Sequence, residues 1–453
     1  MLGNGLLWLC QAKKDEESSL SLKVWVLQKV SNQQSIFLGP LLTFPLGYAA
    51  LIAGSPMAKD HTKPLSEEVE ADPGSFSAYF NKRLVNMLKG NRLAEGLPQL
   101  LQDTRSMLDD IAADPSGITN PFDSIYKIVF KLTMRTVGCN EIANDDALLY
   151  ETLSLYEKLE SAATPLTIMW PWIPTIGKIK RYYGGYQLYM MFKRVVDARN
   201  KEGRREKDAL QYLLDQGDSL TQIITLVLGA LFAGQLNSGV NAAWLLVYLA
   251  NDRYWLERIQ DEIQSVAEKY SPDADMPLKE RLMQVPADAW EGEFPYLDLC
   301  LKDSIRLQLS GTAFRQNVSG RDIPLDKAGR EVIPNGSYVT LAAGEVHYNP
   351  EIYERPDEWD PSRYMPERAE DKKALYGWFG WGVGRHPCLG MRFAKMEISI
   401  IVALFLAYFP EIKLLDSQKR PTTRIPAVDR NKHNSARPDE SAYLQLRGVS
   451  VAT

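Results

Sequence analysis

The stretch GWFGWGVGRHPCLGMRFAK, Gly377 to Lys395, holds one cysteine in a glycine-studded loop directly ahead of an apolar run. Gly382, Gly384 and Gly390 let the backbone turn tightly or come close to something flat. Cys388 stands where a helix would begin, and the free amides and positive end of that helix favour a thiolate. A cysteine so placed is a nucleophile, a metal ligand or a structural residue in an ordinary turn. The nucleophile needs a histidine base, and His386, two positions away, cannot fold back productively onto Cys388. His61, His347 and His433 come with no nucleophile signature.

Working outward, the chain of 453 residues is 45% hydrophobic and 24% charged, which sets disorder aside. A net charge of −5 argues against nucleic acid as the main partner. Cys10, Cys139, Cys300 and Cys388 lie far apart with no CxxC spacing, which fits a reducing compartment and neither a disulfide framework nor a zinc site. A metal at Cys388 would therefore have to bring its own coordination. Haem does so: one axial thiolate suffices, and basic neighbours can pair with its propionates.

Most of the chain reads helical. Apolar residues recur at helical spacing over 123–139, 147–159, 185–199, 253–269 and 296–307, and again after Cys388 with Phe393, Met396, Ile400, Ile401 and Leu404. The stretch 220–249 is the longest and most apolar, and belongs in a protein centre or a membrane. After Gly311, proline, glycine and short β-prone runs predict a few small sheets. Residues 30–58 carry no charge, but Pro40 and Pro45 break the first half, so a buried hairpin or helix pair is expected over a membrane span. No flexible linker or repeat divides the chain.

Four motifs, which fall along the chain in the family's order, resemble those of the cytochrome P-450 family. The loop is similar to its haem signature F-x-x-G-x-[RH]-x-C-x-G, read here as Trp381, Gly384, His386, Cys388 and Gly390. KDSIRL resembles the E-x-x-R helix, with Asp303 for Glu and Arg306 kept. RPDEWDPSRY resembles the segment that supplies the third member of a charged triad, here Arg363. Arg315 stands where the family commonly has an arginine for a haem propionate. The resemblance implies a mainly α fold, a large helical body with small β-sheets and a long central helix over haem. It implies haem b, with Cys388 as axial ligand and His386 and Arg315 on propionates. Asp303, Arg306 and Arg363 then support the loop, and Trp381 walls the sulfur.

In the family the central helix carries [AG]-G-x-[DE]-T-[TS], whose acid and alcohol deliver protons to bound dioxygen. This chain reads AGQLNS, Ala233 to Ser238, so Leu236 replaces the acid and Asn237 the threonine. That pattern, with Trp244 following, resembles the sterol 7α-hydroxylase and prostacyclin synthase branch, which holds both monooxygenases and an isomerase. Gln235, Asn237 and Ser238 are the residues expected to manage distal water and oxygen. Phe232, Leu236 and Thr312 should line the same cavity with Gln235, under a roof formed by 166–177. The apolar lining implies a lipophilic substrate, a terpenoid, sterol, alkaloid or fatty acyl group. Lys82 or Arg83 stands where another propionate partner would come from.

The resemblance further implies a monooxygenase using O2 and an NADPH-dependent reductase, acting as a monomer. The loop is similar to those of fungal enzymes of secondary metabolism. The site of work is expected on the cytoplasmic side, associated with the endoplasmic-reticulum membrane, although no anchor is evident. Residues 1–74 match no part of the family pattern and are expected to be divergent or truncated, with 75–453 as the haem domain. Alternatives are a reductase-independent isomerase or dehydratase of a peroxide, and a degenerate haem-binding protein.

Overall fold

The computed structural model describes residues 25–27, 76–161, 175–309, 312–317, 320–325, 330–383, 387–428 and 437–447. The apolar stretch 220–249 forms one continuous helix, Leu220–Asn251. It opens on a capping box: the Gln222 amide donates to Ser219 Oγ, and the Ser219 amide donates to Gln222 Oε1. It is long and apolar enough to cross a bilayer, but other parts of the protein cover most of it. Of the two expected places for such a helix, it takes the protein centre.

Pro121–Val137 runs closely against this central helix. Gly239 makes the approach possible, since a Cβ there would stand 3.3 Å from Tyr126 Cδ2 and 3.4 Å from its Cα. Ile176–Glu202, Pro295–Gln308 and Met391–Tyr408 also pack on it. An aromatic ladder ties its second half to the C-terminal region. Phe122 meets Trp244 edge-on at 5.0 Å, Trp244 stacks on Tyr248 at 5.7 Å, and Tyr248 stacks on Trp359 at 5.2 Å.

The β-structure is minor. Trp25–Leu27, Tyr338–Ala342 and Thr312–Gln316 form one antiparallel sheet in that order. Ile118–Thr119, Tyr443–Arg447 and Glu411–Leu415 form a second, and Ile323–Pro324 pairs with Val332–Ile333. The 1–74 region thus gives one edge strand to the first sheet; the uncharged 30–58 stretch and most of the expected roof lie outside the described residues.

Two helices differ from expectation. The 185–199 helix begins at Ile176, because its first turns point Ile176, Ile179, Tyr182, Tyr183 and Tyr186 outward and so lack an apolar stripe. Gly90–Ala112 is not anticipated by the sequence reading, which Pro98 and many polar residues obscure. Its buried face nevertheless runs Leu93, Leu97, Leu100, Leu101 and Leu108 at helical spacing.

Candidate functional site

Met391–Tyr408 begins just after Gly390, so Cys388 stands ahead of the helix as expected. The Cys388 amide donates to Trp381 O at 2.7 Å, and the Met391 amide donates to Cys388 O at 3.3 Å, closing the loop on itself. Gly382 turns the chain at φ +77, a conformation that favours glycine. A Cβ at Gly390 would meet nothing within 4 Å, so the space beside it is open. Cys139 and Cys300 are buried, whereas Cys388 is exposed. The Trp381 side chain packs on the main core. Gly384 and His386 lie outside the described residues, as does the side chain of Arg315, whose backbone pairs with Val339.

The Cys388 thiol is pushed up from its ordinary value by desolvation, with the Gly390 backbone N–H working the other way. Accessible surface on one side and protein on the other reconcile exposure with desolvation. The helix start alone therefore does not make a thiolate here. This weighs against a free nucleophile, whose thiol would be lowered.

Asp303, Arg306 and Arg363 come together with no exposure at all. Arg306 Nε donates to Asp303 Oδ1 at 2.6 Å and Nη2 to Oδ2 at 3.3 Å, so the shorter acid still takes a two-pronged pair. The remaining Arg306 hydrogens reach the carbonyls of His347, Pro356 and Glu358. Arg363 Nε lies 3.8 Å from Asp303 Oδ1, and Arg363 Nη1 donates to Glu370 Oε2 at 3.0 Å. Tyr364 Oη donates to Asp303 Oδ1 at 2.8 Å, and the Asp360 amide to Oδ2 at 2.7 Å. Every lone pair of Asp303 is occupied, which suits a brace and leaves nothing for proton transfer.

His347, which carries no signature in the sequence, joins this knot to the cysteine loop. Its carbonyl takes Arg306, and its Nε2 accepts the Phe379 amide at 3.3 Å. Burial and the Arg306 charge hold its imidazole down to about 3, so the ring is neutral and its proton sits on Nδ1. Trp378 Nε1 adds a bond to Lys302 O at 3.1 Å.

The central helix is buried on either side of a short accessible stretch in which Phe232, Ala233, Gly234 and Leu236 are partly open and Asn237 is exposed. Asn237 Nδ2 donates to Ala233 O at 2.8 Å within the helix, leaving its carbonyl oxygen toward the open side. Gln235 and Ser238 do not share this face. Gln235 is fully buried, with Nε2 donating to Tyr126 O at 2.6 Å. Ser238 is buried against Glu397 of the helix that follows Cys388. The reason is geometric: at about 100° per residue, positions 235, 237 and 238 cannot point one way. Of the expected trio, only Asn237 stands on the accessible side of the helix.

Two further corrections follow. Arg83 is not available to a propionate, because Nε and Nη2 clasp both oxygens of Asp218 at 2.9 and 2.6 Å. Lys82 points to solvent. Glu397, missed by sequence reasoning, is a lone acid in an apolar run. Burial pushes its carboxyl up to about 8, opposed by the neighbouring Ser238 and Thr133 hydroxyls, so it is protonated at neutral pH. That isolated acid among apolar residues was the available signal.

The residues present fit a haem. Among the described residues no cluster of three or more Cys, His, Asp or Glu side chains could hold a bare ion. The donor set is one open thiol, with free space at Gly390 and an accessible stretch on an otherwise buried helix. A planar cofactor with its own four nitrogen ligands meets that set.

Comparison with known proteins agrees. The family model described as Cytochrome P450 matches residues 90–433. The cytochrome P450 monooxygenase AacuE of Aspergillus aculeatus is 35% identical over 83% of this chain and 75% of its own length. The cytochrome P450 monooxygenase nsrP of Aspergillus novofumigatus is 34% identical over 82% of this chain and 71% of its own. The obtusifoliol 14-alpha demethylase of Sorghum bicolor is 26% identical over 67% of this chain and 63% of its own. Among solved structures, retinoic acid-bound cyanobacterial CYP120A1 has the same fold at TM-score 0.65 and 19% identity, over 90% of this chain and 84% of that one.

Proposed function

Because this chain belongs to the cytochrome P450 family and is a haem-thiolate monooxygenase of lipophilic molecules, we propose that it binds haem b through Cys388 and oxidises a secondary metabolite on the Asn237 side of the central helix. The observation that carries this reading is the exposed thiol at the head of Met391–Tyr408, in a loop braced by a buried, densely hydrogen-bonded knot.

Bound there, haem supplies the activation of dioxygen and the transfer of one oxygen atom to the substrate. The chain's own residues do the rest. Cys388 ligates the iron as thiolate. The Gly390 amide and the helix start share its charge. Arg306, Asp303 and Arg363 fix the loop through His347, so the sulfur is held without reorganisation. His386 and Arg315 are the proposed propionate partners. Asn237 offers a neutral amide, donor and acceptor at once, to order water on the open side. Phe232 and Leu236 keep that side apolar, which selects a lipophilic substrate and excludes bulk water.

Electrons come from a redox partner; an NADPH-dependent reductase, a monomeric enzyme and work at the cytoplasmic side of the endoplasmic-reticulum membrane complete the reading. The test is incorporation of labelled O2 by the haem-loaded protein with NADPH and reductase. Label in the product, dependent on NADPH, upholds it. Turnover of an organic hydroperoxide without NADPH, and no label from O2, would make the protein an isomerase instead.

A further inference from the structure

Glu397 is a buried acid left without a task. It is 1% exposed on the helix Met391–Tyr408, and among the described residues neither of its oxygens makes a hydrogen bond. Ser238 of the central helix and Thr133 of Pro121–Val137, both buried, bring their hydroxyls beside it. Thr133 Oγ1 is also without a hydrogen bond among the described residues. Three helices thus turn one polar group each toward a common point. No charge on these helices is spent there. The central helix has none between Leu220 and Asn251. On Pro121–Val137, Asp123 meets Arg437, Lys127 lies over the Tyr150 ring, Lys131 meets Asp146, and Arg135 meets Asp103 of Gly90–Ala112. On Met391–Tyr408, Arg392 meets Glu291 and Lys395 meets Asp298. Glu397 is therefore neither half of an ion pair nor a cap, and an apolar side chain would fill its place without the cost of burying a carboxyl.

The way out runs past Gly234. Positions 234 and 238 lie one above the other on the central helix, and 234 is also a neighbour of 237 across one turn. A Cβ at Gly234 would stand 3.8 Å from Thr133 Oγ1 and meet nothing nearer outside its own helix. The partly accessible Gly234 therefore sets that buried hydroxyl one layer beneath the open stretch that ends at Asn237. Ser238 and Thr133 each carry an oxygen that accepts one proton while donating another. A water between them and Glu397 would find several polar partners.

We propose that Glu397 is a proton reservoir for the open side, passing its proton through water held by the Ser238 and Thr133 hydroxyls and out past Gly234 to the water that Asn237 orders. This rests on the reading that oxygen is reduced beside Asn237. Inserting one oxygen atom into the substrate and releasing the other as water takes up two electrons and two protons. The redox partner supplies the electrons, while a bound lipophilic substrate slows the supply of protons from bulk water. Glu397 lends one proton: its O–H bond breaks, a neighbouring water oxygen takes the proton, and that water gives one of its own onward. The other is drawn from solvent. When product leaves, water returning along the same path restores the proton to the carboxylate. The acid that Leu236 lacks on the central helix is thus supplied from the helix that follows Cys388. Glu397 acts through the hydroxyls and not on the substrate itself, and it is the one group of the closed face that serves the open one.

The test reads the proton first and the reaction second. In the infrared spectrum of the full-length haem-loaded protein, the carboxylic-acid C=O band that Glu397→Gln removes belongs to Glu397. On transfer to D2O this band should shift at least about tenfold faster than the amides of Met391–Tyr408 exchange. Thr133→Val should slow it to the amide rate, and Thr133→Ser should restore it. A band that moves only with the amides in the wild type, or as fast in Thr133→Val, overturns the proposal. With NADPH, reductase and 7-ethoxycoumarin as the probe, Glu397→Gln and Thr133→Val should release at least about tenfold more H2O2 per product. Thr133→Ser should stay close to the wild type. Glutamine copies the neutral acid in size and charge and lacks only the proton to give, so unchanged coupling in Glu397→Gln also overturns the reservoir. If the wild type does not turn the probe over, the infrared result decides alone. Absence of a thiolate-haem spectrum in the wild type sinks the parent reading instead, and the exchange of the C=O band then judges the proton path alone.

Discussion

Asp303 and Cys388 are joined by a short relay through Arg306, His347 and Phe379, yet their surroundings are opposite. Around Asp303 each oxygen and most guanidinium hydrogens are taken, and nothing is exposed. Around Cys388 the thiol, Leu389 and Pro387 stand open, and Gly390 faces empty space. One region is finished by the protein alone. The other is shaped for something the protein does not supply. The same division recurs around the central helix, with Asn237 on the open face and Gln235, Ser238 and Glu397 on the closed one.

This contrast predicts that closed-region changes cost stability and open-region changes cost chemistry. Arg306→Ala should be the severest, losing about 3–5 kcal/mol because the buried Asp303 loses its two-pronged partner and keeps only Arg363 Nε at 3.8 Å; a urea midpoint close to wild type would break the contrast. Glu397→Gln comes next and acts through pH. The folded carboxyl titrates near 8 against a usual 4.5. The unfolded chain therefore releases its proton first, and wild-type stability falls as pH rises from about 4.5 to about 8. At about 1.4 kcal/mol per pH unit the loss is on the order of 5 kcal/mol. The Gln variant should lack this slope, so its advantage over wild type grows with pH; parallel curves would place Glu397 in contact with solvent.

Asn237→Ala sharpens the contrast from the open side. Among the described residues its amide bonds only within its own helix, so stability should hold while product formed per NADPH falls about tenfold, the equivalent of about 1.4 kcal/mol. Unchanged coupling would remove Asn237 from the oxygen site. The smallest effect is Gln235→Leu, which gives up the bond to Tyr126 O for about 1 kcal/mol of stability and leaves coupling as it was.

The cysteine loop, KDSIRL and RPDEWDPSRY were legible in the sequence because each packs its chemistry into a few neighbouring residues. The long apolar helix was legible for the same reason. What escaped depends on rotation and distance. Gln235, Asn237 and Ser238 read as one polar cluster in the string and separate onto different faces in the helix. His347 gains its meaning from partners far away in the chain. Arg83 reads as a propionate partner in the string, and Asp218, distant in the chain, occupies it in the fold.

The account turns on Cys388, and the carbon monoxide difference spectrum of the reduced protein, run beside Cys388→Ala, tests it most directly. A strongly red-shifted Soret band in the wild type, lost in a variant that keeps its urea midpoint, is the predicted result. A folded wild type without that band, or a band that survives in Cys388→Ala, would contradict it.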